Sequence, residues 1–324
     1  MNEIVDRTGK IRPLRARLLP SRIGNGNSHY AAGPMLDGDP DVLHQELRKA
    51  LRERWRAYRK ALKQCRKHPS EKVVHNLRVQ TRRLLSALEL LGSFVTHSHV
   101  QKARRKLKKR LDDFSELRDT HVQLLSVEVM LQEFPELKPL YRKLLRREKR
   151  LIKPATNQAK ISRCGGLARA VRRTNKHLKA GFANPSVRCR PRERISHILE
   201  AAFDRVVHLR KAIHPRNVET IHRTRVAFIK FRYMVELLEP VLPGVTRRQL
   251  VAMAHYQTMM GDIQDLGVMI ASLDAMAEKS KLKAATLARV RKTLGGRHRD
   301  LIRDYCAHAD QLFSFWPARL EEDI

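Results

Sequence analysis

The sequence predicts an all-α protein built as two four-helix bundles related by internal duplication and pseudo-two-fold symmetry. Helical periodicity runs almost unbroken from Asp41 onward, and alternating β-branched runs bounded by hairpin turns are nearly absent. One helix-plus-turn unit also occurs twice.

The elements follow from the punctuation. Residues 1–40 carry Pro13, Pro20, Pro34 and Pro40 with little apolar periodicity and read as a flexible basic tail. Asp41 is placed to cap a helix reaching Lys67, which His68-Pro69-Ser70 breaks. Ser70 caps a second helix that runs to Leu91-Gly92. A third stretch, 97–133, ends before Pro135, and a fourth, interrupted by Pro154 and by Gly165-Gly166, reaches Lys179. These make a first bundle over 41–180. A turn-rich linker, 181–191, leads to a second bundle over 192–318, with helices expected at 192–213, 217–239, 245–278 and 281–314. Breaks there fall at His214-Pro215, at Pro240 and Pro243-Gly244, and at the polar stretch Glu278-Lys279-Ser280-Lys281.

The duplication is specific. VVHNLRVQTRRLLSALELL (73–91) aligns with TIHRTRVAFIKFRYMVELL (220–238), pairing His75 with His222, Arg78 with Arg225, Arg83 with Lys230 and Glu89 with Glu236. Each copy is followed by a second element, LDDFSELRDTHV (111–122) and MMGDIQDLGV (259–268), so that His75 to Asp119 spans 44 residues and His222 to Asp265 spans 43. On a helical wheel Leu77, Leu84, Leu88 and Leu91 gather opposite His75, Arg78 and Arg82, with Arg83 at the edge. In the second copy Thr224, Phe231, Val235 and Leu238 face the core, and His222 and Arg225 are displayed. Lys230 and Arg232 flank that face, and Ile229 stands where Arg82 would be.

Charge then narrows the function. The chain has 67 Lys and Arg against 33 Asp and Glu, a net charge of +34, which calls for an anionic partner: nucleic acid, an acidic membrane surface or polyphosphate. Hydrophobic residues at 42% allow a full core, whereas aromatics at 5% supply few platforms for stacking bases. Further cations recur at helical spacing. Arg52, Arg56, Arg59 and Lys63 share one face of the first helix, Arg105, Lys108 and Lys109 crowd together in KARRKLKKR, and Arg118 lies in the second element. Four scattered cysteines, Cys65, Cys164, Cys189 and Cys306, read as reduced thiols of a cytoplasmic protein. The start lacks the apolar core of a secretory signal, and no run of about 18 apolar residues offers a membrane span.

VHNLRVQTRRL with LDDFSELRD, and IHRTRVAFIKFRYMVELL with MMGDIQD, resemble the conserved histidine α-helical domain family, abbreviated CHAD, over residues 41–318. The resemblance implies paired four-helix bundles and binding of long-chain inorganic polyphosphate in a basic groove between them. By position, His75, Arg78, Arg82 and Arg83 match the first motif, and His222, Arg225, Lys230, Arg232 and Tyr233 the second. Leu85 and Ser115 depart from the pattern, whereas Gly261 keeps the glycine that Ser115 lacks. Many relatives add a triphosphate-tunnel domain with an ExExK strand. The nearest string here, Glu133 to Lys138, has the wrong spacing, so a stand-alone, non-catalytic binder without cofactor or metal is expected, gathered on polyphosphate-containing granules.

Three other chemistries compete. A phosphotransfer histidine is typically followed by Lys and Gly, where this chain has Arg78-Val79 and Arg225-Val226. A di-iron bundle needs two Glu-x-x-His pairs, and only Glu219-x-x-His222 is of that form. Nucleic acid is the serious alternative, because charge alone does not separate it from polyphosphate. Against it stand the scarcity of aromatics and the lack of a nucleic-acid-reading motif.

Overall fold

The computed structural model describes residues 3–5, 11–13, 40–92, 98–162, 164–183, 191–242, 244–277 and 284–316. Among them are ten α-helices. The first half holds α1 (Pro40–Lys67), α2 (Glu71–Leu91), α3 (Ser98–Asp113), α4 (Ser115–Met130), α5 (Lys138–Ile161) and α6 (Gly165–Ala183). The second half holds α7 (Pro191–Lys211), α8 (Val218–Leu238), α9 (Arg247–Ala277) and α10 (Ala284–His308). The fold is all-α except for β1 (Glu3–Val5) and β2 (Ile11–Pro13), which pair antiparallel with Ile4 opposite Arg12. The rest of the expected tail, residues 184–190 of the expected linker and the polar stretch at 278–281 lie outside the described residues.

The first half therefore has six helices where the punctuation predicted four. The expected 97–133 helix bends at Phe114 (φ −117°, ψ 10°), whose ring is fully buried in the core. No Pro or Gly marks that point, because the break serves a tertiary contact. Pro154 does not interrupt its helix: α5 runs through it. Pro154 lies on the exposed face, where water can take the carbonyl that the ring leaves unbonded. The true stop comes eight residues later, at Ser162. There Arg66 of α1 donates to the carbonyls of Ala159 (3.0 Å) and Ser162 (2.8 Å), satisfying the helix end. At the other boundaries α1 begins at Pro40 itself, a residue favoured in the first turn, so Asp41 is inside the helix and not its cap. Ser70 caps α2 through its backbone, accepting the Val74 N–H at 2.9 Å, with no side-chain capping bond. Gly244 adopts φ 84° in the turn before α9, a left-handed conformation suited to glycine.

The predicted leucine stripe is the core face. Leu77, Leu84, Leu88 and Leu91 of α2 are fully buried, as are Thr224, Phe231 and Leu238 of α8. In the first half α1, α2, α3 and α6 close a ring in which each helix touches the next. In the second half α7, α8, α9 and α10 pack in succession, and α2 lies directly on α8. A single hydrophobic cluster consequently runs through both halves, from Leu47 and Leu84 to Phe228, Tyr256 and Tyr305. A smaller cluster joins α4 and α5 to α9 and α10 through Val127, Leu140, Met269, Val290 and Leu294. Gln123 of α4 donates to Ser272 Oγ of α9 at 2.7 Å beside it. Cys65, Cys164 and Cys306 are free thiols, and Cys189 lies outside the described residues. No described helix is long and apolar enough to cross a membrane.

Phe231 is the hub of the aromatic part of this core, with ring centroids 5.1 Å from Phe203, 6.4 Å from Phe228 and 5.8 Å from Trp316. Phe231→Ala is expected to cost about 3–5 kcal/mol in urea unfolding, whereas Arg105→Ala on the exposed face of α3 stays within about 0.5 kcal/mol.

Candidate functional site

The two duplicated helices meet face to face in antiparallel register. Arg83 of α2 pairs with Glu236 of α8 at 3.1 Å, and Lys230 of α8 pairs with Glu89 of α2 at 3.1 Å. Equivalent positions of the two copies thus exchange partners, as in a self-complementary interface. Each glutamate also holds a second cation, Arg104 on Glu89 (2.7 Å) and Arg232 on Glu236 (2.6 Å). Burial pushes the Glu89 carboxyl up, but Lys230 and Arg104 outweigh it and hold the group below its ordinary range. Arg54 of α1 donates to the Glu236 carbonyl at 3.2 Å, and its guanidinium is lowered by burial and then by Arg83.

Beside this seam the histidine and arginine positions of the motif converge with the second elements. His75, Arg78 and Arg82 come from α2, Arg118 and Asp119 from α4, Arg225 from α8, and Asp262 and Asp265 from α9. Burial and then Arg82 push Arg78 down to about 10, and Arg78 also donates to the Leu111 carbonyl. Arg82 is lowered by burial, then by Arg225 and Arg118. Among the described residues it has no carboxylate partner. Arg118 is held by Glu71 of α2. Arg225 lies across Gly261, where an added Cβ would sit 3.5 Å from its Nε, and that Nε is buried with no hydrogen-bond partner. That distance is ordinary van der Waals contact, so the guanidinium packs directly on the α9 surface at Gly261.

The acids here answer the arginines only in part. Burial raises Asp119 against Arg78 and Arg118, and raises Asp265 against Arg225 and Arg118. Asp262 is raised by burial and then by Asp265. His75 is lowered by burial and then by Arg118, opposed by Glu71, with Arg82 and Arg78 adding to the fall. Its ring keeps substantial access to water, so solvent screens part of this shift. His222 stands one turn before Arg225, its Nδ1 buried without a hydrogen-bond partner. Among the described residues no group of three or more His, Cys, Asp or Glu is arranged to hold a metal ion. What the arrangement offers is a set of converging guanidiniums, of which Arg82 has no carboxylate partner among the described residues and Arg225 Nε has no acceptor, suited to the oxygens of an oxyanion.

Residues 49–274, more than half of the chain, match the family model described as the CHAD domain. The chain belongs to the CHAD domain family. CHAD domains are polyphosphate-binding domains. The match begins and ends inside the 41–318 span that the motifs suggested. Two solved structures share the fold. The CHAD domain from the plant Ricinus communis superposes with a TM-score of 0.60 at 19% identity, covering 88% of this chain and 97% of that one. PptA from Streptomyces chartreusis superposes with a TM-score of 0.51 at 16% identity, covering 86% and 100%. No curated protein matches the chain.

Within this CHAD domain the sequence-predicted residues divide into three groups. His75, Arg78, Arg82, Arg118 and Arg225 converge, with His222 one turn from Arg225. Arg83, Lys230, Arg232 and Tyr233 build the seam. Arg232, expected on the flank of the displayed face, and Tyr233, matched to the second family motif, are both buried, at 8% and 4% exposure. Tyr233 packs under the guanidiniums of Arg83 (5.4 Å) and Arg232 (4.7 Å), and Arg232 also donates to Gln257 at 2.9 Å. Their burial comes from the packing of α2 on the C-terminal half of α8, opposite the second-half core, which a wheel of α8 alone does not contain. Arg52, Arg56, Arg59 and Lys63 on α1, and Arg105, Lys108 and Lys109 on α3, are exposed and belong to neither group. Sequence reasoning assigned no role to Glu89, Glu236, Asp262 or Asp265, although the first two were visible as an aligned pair inside a basic helix.

The seam predicts an asymmetry. Glu236→Gln strands two cations, one of them Arg232 with a side chain only 9% exposed, and is expected to cost about 3 kcal/mol in urea unfolding. Glu89→Gln is expected to cost about 1–2 kcal/mol, because Lys230 is 48% exposed and turns to water. Equal losses for the two would mean that the exposed and buried cations depend on their glutamates alike.

Proposed function

We propose that this CHAD domain binds long-chain inorganic polyphosphate without catalysis, in a basic groove lined by the His-x-x-Arg helices of both halves. The groove lies where α2, α4, α8 and α9 meet. His75, Arg78, Arg82, Arg118, His222 and Arg225 are its ligand contacts. The observation that carries this reading is Arg82, partly buried between Arg225 and Arg118 from other helices with no carboxylate of its own among the described residues. Crowding like charges costs free energy that a bound polyanion returns. The reciprocal pairs across the seam, Arg83 with Glu236 and Lys230 with Glu89, support two bundles related by a pseudo-two-fold axis through the groove. A linear, base-free polyanion suits such a site because no aromatic ring is displayed in it, Tyr233 being buried. The cellular consequence is recruitment of a cytoplasmic protein to polyphosphate-containing granules.

Binding is expected to fall linearly in log K against log salt, and Arg82→Ala with Arg225→Ala is expected to reduce that slope by about one to two, as two phosphate contacts are lost. Long polyphosphate is expected to bind more tightly than tripolyphosphate, since a short chain engages one half at a time. DNA competing equally at fixed salt would favour nucleic acid in this groove instead.

The pH dependence has a definite sign. His75 is held low in the unliganded protein, and neighbouring phosphates favour its imidazolium. Binding therefore takes up protons, and affinity measured by titration calorimetry is expected to rise as pH falls from about 8 to 6. His75→Gln with His222→Gln is expected to remove most of that rise. A pH-independent wild type, or a double variant that keeps the full rise, would leave the histidines with a structural role only.

A further inference from the structure

We propose that the groove between α1 and α6 is a second binding site, separate from the central one, and that it takes single-stranded nucleic acid. In the first-half ring α6 touches α1 and α3, as α2 does, and so lies across the ring from α2 and from the seam with α8. Between α1 and α6 runs a groove of about 470 Å³ lined by Arg48, Arg52, Trp55 and Arg59 on one side and by Ala168, Val171, Arg172, Asn175 and Lys176 on the other. That volume is in the range of ligand-binding clefts, about 300–1,000 Å³.

Three features of this groove distinguish it from a solvated basic face. First, it carries five cations and no carboxylate lines it, and none of the five makes an ion pair among the described residues. Elsewhere on the surface Arg147, Arg289 and Arg297 each pair with a glutamate. Second, its floor is apolar and includes a partly exposed indole, Trp55. The Arg59 guanidinium stands 5.9 Å from the centroid of that ring, at the outer limit of a cation–π contact, about 6 Å, and can give way to a base. Third, two of the residues that line the groove each carry a buried polar atom without a partner: Arg48 Nε, a donor, and Asn175 Oδ1, an acceptor. Buried polar groups are ordinarily satisfied, so an orphan pair in one cleft asks for a ligand with both functions. Polyphosphate brings acceptors only. A nucleotide strand brings phosphate oxygens for the arginines, a base face for Trp55, and exocyclic amino groups for the Asn175 carbonyl. The central site displays no aromatic ring, so the two sites sort two polyanions by chemistry. The assignment stands independently of what the central site binds.

The test uses Trp55 as its own reporter. The chain has two tryptophans, and the other, Trp316, is buried in the core. In full-length Trp316→Phe protein, single-stranded oligoadenylate is expected to quench Trp55 emission. Saturating long-chain polyphosphate leaves that quenching in place. Arg52→Ala with Arg172→Ala, both at exposed positions, weakens it about tenfold or more. If Trp316→Phe does not fold, the same titration on the wild type reads Trp55 above a constant buried background. Oligoadenylate that binds without changing Trp55 emission would overturn the assignment. So would complete displacement by polyphosphate, which would make this groove one more stretch of polyphosphate surface, and so would equal quenching by a duplex of the same length.

Discussion

Two helices that each carry a row of cations have to pack against each other here, and two glutamates make that possible. Glu89 and Glu236 each receive a cation from the opposite copy and one from their own half. Without them Arg83, Lys230 and Arg232 would face one another across an interface whose neighbouring core is shared by both halves. The antiparallel register of α2 and α8 follows from this exchange, and the register places His75, Arg78 and Arg82 on the same side as Arg225. The central cluster is thus a consequence of the seam. With Arg83 and Lys230 committed to holding the helices together, Arg82 is left between Arg225 and Arg118 with no carboxylate partner among the described residues.

The cluster is tolerated because it is not purely cationic. Asp119, Asp262 and Asp265 lie within electrostatic reach of the arginines, yet burial holds their carboxyls high and weakens their compensation. Arg225 packs on α9 at Gly261, inside one continuous helix, while in the first half the equivalent Ser115 starts a new helix after the bend at Phe114. The two copies therefore reach the same site by different backbone routes. That difference falls at a departure already visible in the sequence, Ser115 where the family pattern has glycine.

Much of this was legible from the chain alone. The leucine stripe of α2, the His-x-x-Arg spacing and the repeated second element located the helices and the convergent residues, because those signals are local and periodic. What escaped were facts set by tertiary contact. The bend at Phe114 has no breaker residue, and the passage of α5 through Pro154 depends on which face meets water. The burial of Arg232 and Tyr233 follows from α2 covering a helix whose own pattern marks only one core face. The α1 cations share a helical face, as expected, but only the packing of α6 beside α1 reveals that Arg52 and Arg59 line a groove of their own.

If the central cluster is the binding site, phosphate oxygens occupy the space between arginines contributed by both halves. A crystal structure of the chain with long-chain polyphosphate bound tests it most directly. Phosphate density is expected between Arg82 of α2 and Arg225 of α8, continuing past Arg78 and Arg118, with the Glu89 and Glu236 pairs intact. Density confined to the exposed cations of α1, α3 or α6, with the central arginines unoccupied, would contradict it.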